Sequence, residues 1–132
     1  MANPNIVNVT SILGKNAFLA LTTSFQTIVT NASGSNEIIK INSLIINNID
    51  GTNAASVSSV IANATSLALL GYLANTISVP ADSSLVLISK DTSIYLMENQ
   101  MLRLSASANS DLHATLSYEL ISWDGFLLHQ IW

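Results

Sequence analysis

The sequence has 132 residues, 49% of them hydrophobic and only 9% charged, with a formal net charge of −4 and no cysteine. A chain of this length buries roughly two thirds of its extended surface around one core, so no disulfide or metal is needed to explain its stability. The charged share is far below the roughly 25% of an ordinary domain, and Lys15, Lys40, Lys90 and Arg103 are scattered, which argues against the clustered cations of a nucleic-acid binder.

Ser, Thr and Asn fill the deficit with 19, 10 and 14 residues. Such side chains hydrogen-bond across strands or to a neighbouring subunit without the desolvation cost of a full charge. A neutral polar exterior of this kind suits a protein packed among other proteins. The opening MANPNIVNV lacks a basic segment followed by an apolar run, so no secretory signal is expected. The absence of cysteine fits folding in a cytoplasm, and no apolar run is long enough for a membrane-spanning helix. Sequons at Asn8, Asn31 and Asn63 are expected by chance in so Asn-rich a chain.

In chain order, residues 6–13 read as a first strand, with Val7, Val9 and Leu13 on one face and Asn8 and Thr10 on the other. Gly14 is expected to break it, and residues 15–21 and 25–30 follow as short strands. NASGSN (residues 31–36) is a loop by composition. Residues 37–49 form the longest β-rich run. Its alternation slips near Asn42 and Ser43, which fits either a bulge or a strand covered on both faces. Asp50-Gly51 predicts a tight reversal into a strand over residues 55–62. Residues 63–71 fit a short helix, capped by Thr65 or Ser66 and ended by Gly71, as well as they fit a hairpin loop. Residues 72–79 resume the strand pattern, which Pro80 and Asp82 stop.

The stretch over residues 79–122 carries further strands at LVLISK, IYL, LRLSASA and LHATLSYELIS. Leu102, Leu104, Ala106 and Ala108 alternate with Arg103, Ser105 and Ser107, and Leu112, Ala114, Leu116, Tyr118 and Leu120 alternate with His113, Thr115, Ser117 and Glu119. About ten short strands without alternating helices predict an all-β fold, an antiparallel β-sandwich or jelly roll. A closed β-barrel is the alternative.

Residues that carry chemistry are few and dispersed. His113 and His129 stand alone, outside any metal-ligand spacing. The acids Glu37, Asp50, Asp82, Asp91, Glu98, Asp111, Glu119 and Asp124 fall mostly at turns or strand ends, where carboxylates accept backbone N–H groups. There is no G-x-S-x-G elbow and no glycine-rich phosphate loop. The expectation is a protein that is not an enzyme and holds no cofactor or metal.

The last ten residues, WDGFLLHQIW, crowd Trp123, Phe126, Leu127, Leu128, Ile131 and Trp132 together. Burying six such side chains represents about 10 kcal/mol gross, comparable to the net stability of a domain. Two readings stand. Asp124-Gly125 turns the segment back as one more strand, or the segment is an arm that docks on a neighbouring subunit. The division expected is a β-sandwich domain over residues 1–122 and an apolar C-terminal strand or arm over 123–132, with those six residues at a partner interface.

Across MANPNIVNVTSILGK, KINSLIINNIDGTNA, TISVPADSSLVLISKDTSIYLMEN and LSYELIS, the chain resembles small virion structural proteins of tailed bacteriophages, especially those of cyanobacterial and marine hosts. The resemblance spans most of residues 1–122 and carries no catalytic signature; the segment beyond Ser122 extends past the usual ending. It implies a head-decoration or cement protein on the outer capsid surface, folded in the host cytoplasm. Such a protein binds the major capsid protein at capsomer joints as a homo-oligomer, with no nucleic acid and no membrane as partner. A receptor- or carbohydrate-binding module of a tail or fibre is the alternative.

Overall fold

The computed structural model describes residues 10–122, which pack as two antiparallel sheets. The strands are β1 (Ser11–Ala20), β2 (Gln26–Asn31), β3 (Glu37–Asn48), β4 (Ala55–Asn63), β5 (Leu69–Val79), β6 (Ser84–Ile88), β7 (Ile94–Leu96), β8 (Gln100–Ala106) and β9 (Leu112–Ser122). A 3-10 turn, Lys90–Thr92, separates β6 from β7. The first sheet runs β1-β9-β3-β6, with β7 also paired to β3, and the second runs β2-β8-β4-β5. From β1 to β4 the chain changes sheet at every step, and β9 returns beside β1. That wrapped path is a jelly roll. The two sheets remain separate layers, so the expected sandwich forms and the barrel alternative does not.

Period-2 alternation decides what each sheet buries. Ile39, Ile41, Leu44 and Ile46 of β3 with Leu112, Ala114 and Leu116 of β9 face Val57 of β4 and Leu102 and Leu104 of β8 in one core cluster. Each large side chain withdrawn from water there contributes roughly 1.5–3 kcal/mol. In β3 the slip expected near Asn42 and Ser43 is a bulge, because the register against β9 shifts between Ile41 and Ser43. The extra residue keeps Leu44 and Ile46 pointing inward.

Two buried asparagines join the layers at their corners. Asn31, at the end of β2, donates its amide to the carbonyls of Glu37 at 2.9 Å and Leu96 at 3.0 Å, both in the opposite sheet. Its Oδ1 accepts the Ser35 hydroxyl. Asn48, at the end of β3, donates to Asn53 at 3.0 Å and to Val79, the last residue of β5, at 2.9 Å, and accepts the Asp50 N–H at 2.9 Å. An amide satisfies both a donor and an acceptor need where the chain changes sheet and cannot pair with itself. Asn31 is 1% exposed, so its sequon is closed in the folded chain.

Two expectations are corrected and one open alternative is decided. Gly14 does not end the first strand. β1 runs straight through it and pairs with β9 without a shift from Ser11↔Ser122 to Ala20↔His113, since a continuous ladder outweighs the propensity of one glycine. Of the two readings open for residues 63–71, the hairpin loop forms and the helix does not, with residues 69–71 already in β5. Asn63 accepts the N–H groups of Thr65 and Ser66 on its side chain, and its backbone pairs with Leu67 and Ala68. Asp50-Gly51 is not a hairpin reversal, because β3 and β4 lie in different sheets. Its loop is a crossover, held by Asp50 Oδ1, which accepts the Thr52 N–H at 2.8 Å and the Asn53 N–H at 3.3 Å.

Candidate assembly surface

The side chains able to do chemistry are placed apart by these elements. His113 lies exposed on the outer face of β9, opposite Ala20 and Asn47. Glu98 accepts the N–H groups of Gly34 and Asn36 at 3.2 and 3.1 Å and so orders the loop after β2. The backbone bonds from Thr52 and Asn53 hold the Asp50 carboxyl below its ordinary range. Among the described residues no three His, Cys, Asp or Glu side chains gather as metal ligands would. His129, Asp124 and the six residues assigned to a partner interface, Trp123, Phe126, Leu127, Leu128, Ile131 and Trp132, lie outside the described residues.

The strand edges of the two sheets differ sharply. A sheet edge is a row of unpaired N–H and C=O groups that templates further pairing unless it is short, bulged or charged. β3 is flanked by β6 and β7, of 5 and 3 residues, with the 3-10 turn between them. β2 has 6 residues and a register shift between Thr27 and Val29. β5 is long but shifts register against β4 at three places, and its Thr76 sits at φ +57°, with its N–H taken by the Ser58 hydroxyl at 2.9 Å. Only β1, among the described residues, offers a long edge with no shift.

Large apolar side chains collect at these strands. On β1, Ile12, Leu13 and Phe18 are 55%, 50% and 73% exposed. On the β4–β5 hairpin, Leu67, Leu69, Leu70, Tyr72 and Ile77 are exposed. The outer face of the second sheet also holds a cleft of about 140 Å³ lined by Phe25, Val60, Leu67, Leu69, Tyr72 and Arg103. Arg103 Nη2 donates to the Phe25 carbonyl at 3.0 Å, while its buried Nε has no partner. Sequence reasoning placed the stickiness of this chain in its last ten residues and missed β1. The signal was present, because the phase of the polar Asn8 and Thr10 continues into Ile12 and Phe18.

No family model matches the chain, and no curated protein matches it. A solved subunit of Bacillus endospore appendages, described as a novel family of disulfide-linked pili, superposes with a TM-score of 0.51 at 15% identity, over 94% of this chain and 96% of that one. At that identity the likeness is one of fold. This sequence has no cysteine, so disulfide linkage of that kind is closed to it.

Proposed function

We propose that this chain is a non-enzymatic structural protein that works by association, and that its setting is the outer surface of a phage head, where it cements capsomer joints. The observation that carries the association is the concentration of exposed apolar side chains along strand edges of a chain with 9% charged residues. Exposed apolar surface of this kind marks contacts between proteins. The phage setting rests on the sequence resemblance. The neighbour of like fold is described as forming pili, which is an assembly, though the likeness itself is one of fold. Many modest contacts, repeated by symmetry, then sum to a large resistance to disruption.

The test is to add the purified protein to heads that lack it and locate it by cryo-electron microscopy. Occupancy at every capsomer joint, in copy numbers that match the lattice, is expected. No binding, or a few copies confined to the tail, overturns the cement assignment. The cleft beside Phe25, Tyr72 and Arg103 favours a second reading, a tail or fibre module for carbohydrate, because aromatic faces and a guanidinium are the groups that hold sugars. Its volume of about 140 Å³ is below the usual range for a ligand pocket. Glycan binding that is lost in Tyr72→Ala would favour that module over cement.

A further inference from the structure

We propose that β1 is the contact between two copies of this chain, pairing with β1 of a second copy about a two-fold axis at Asn16, so that the first sheet continues across the dimer. This deepens the structural reading above and rests on it only in taking association to be the work of the chain.

The argument starts from which backbone groups are free. The Leu21 N–H, next to the Ala20↔His113 pair that ends the ladder, donates to the Leu112 carbonyl at 2.9 Å, so it is the odd residue that turns its N–H toward β9. Because the register is unbroken, the odd residues 19, 17, 15 and 13 also turn their backbone groups toward β9. The even residues Ile12, Gly14, Asn16, Phe18 and Ala20 therefore direct theirs away from it. No other strand takes them among the described residues. Leaving such an edge open invites uncontrolled pairing, and the other edges of both sheets are blunted by shortness or bulges. A heterologous contact would need a second regular edge elsewhere on the molecule. Among the described residues there is none, so the surface that fits β1 is β1.

The register follows from the side chains. A two-fold axis normal to the sheet keeps each residue on its own face, so even residues oppose even residues. An axis at residue 15 sets Lys15 against itself, and like charges directly opposite are destabilising. With the axis at residue 16, Lys15 faces Ala17 and the two Asn16 side chains meet at the centre. Ile12 then opposes Ala20, and Leu13 opposes Leu19. Phe18 opposes Gly14, whose Cβ position has nothing within 4 Å. An aromatic ring laid over a facing glycine is a known means of pinning strand register. Every free N–H of one β1 edge meets a free C=O of the other, so the partial charges are self-complementary, and the exposed Ile12, Leu13 and Phe18 leave water together.

Sedimentation of the full chain should give twice its 14.0 kDa mass. Asn16→Lys and Asn16→Asp, at an exposed position whose backbone bonds point away from β9, should each weaken the dimer by about fivefold or more. An equimolar mixture of the two should restore it. Because the chain lacks cysteine, Asn16→Cys gives a single thiol, which should oxidise to a covalent dimer, since Cα atoms of a hydrogen-bonded pair lie about 5.5 Å apart. Circular dichroism reports whether each variant folds. A monomeric wild type, a dimer indifferent to charge at residue 16, or no rescue on mixing overturns the proposal. These assays need no phage particle, so a failure here and a failure of head binding are read separately.

Discussion

β1 and β5 are both long outer strands, one on each sheet, and they are built in opposite ways. β1 keeps its register over its whole length, whereas β5 shifts three times and carries Thr76 at positive φ. Both expose leucine or isoleucine and an aromatic ring. The difference lies in the backbone. On β5 the bulges leave the free N–H and C=O groups out of line, so its apolar residues form a surface without a strand template. On β1 surface and template coincide, which is the condition for adding a strand. Edge protection in this fold is therefore selective.

The contrast can be broken from beneath. Leu116 of β9 lies between Ala17 of β1 and Leu44 of β3 and is fully buried. Leu116→Ala should cost about 3 kcal/mol, read as a lower urea midpoint with an unchanged slope. A much smaller loss would mean that β1 is not seated on the common core. Asn48→Ala removes the amide that holds Val79, leaving buried carbonyls without a donor, at a cost of about 2 kcal/mol. Hydrogen exchange should rise at the end of β5 and not along β1. Equal rises on both would show that the two edges are not held independently.

Smaller effects sharpen the comparison. Gly14 has room for a side chain and no positive φ, so Gly14→Ala should stabilise the chain by about 0.5 kcal/mol. The measurement belongs in the Asn16→Lys background, diluted until sedimentation shows the single subunit; a loss there would show that the gap is required within the subunit. The smallest effect concerns acid. The Asp50 carboxyl is held below its ordinary pKa of 3.8 by the Thr52 and Asn53 N–H groups. Its contribution is complete above that ordinary value and fades as pH falls through the lower folded-state value. Asp50→Asn should flatten this part of the acid limb in thermal melts, and an unchanged limb would show that the loop beside β5 does not depend on the charge.

Some of this molecule was legible in the residues. Alternation over β8 and β9 predicts which side chains are buried, because the side-chain period of a strand is fixed by its pleat. The slip at Asn42 and Ser43 is visible for the same reason, although it fits a strand covered on both faces as well, and the register against β9 is what makes it a bulge. A turn acid such as Asp50 is readable as an acceptor of backbone N–H groups, since Thr52 and Asn53 are its neighbours in sequence, whereas the partners of Glu98, Gly34 and Asn36, meet it only in the fold.

What sequence alone determined, then, is the strand content, the inward face of β8 and β9 and the scarcity of charge, all of them local or additive properties. Tertiary structure alone decided that β1 pairs with β9 through Gly14, that Asp50-Gly51 crosses between sheets, and which strands end up as edges. Those outcomes depend on partners far away in the chain. Whether a glycine breaks a strand is set by the ladder available on each side, and whether an apolar residue such as Phe18 faces water is set by whether a second layer covers its face of the sheet. Ile12 and Phe18 share the phase of Asn8 and Thr10, but it takes the fold to show that no layer covers that face of β1 among the described residues.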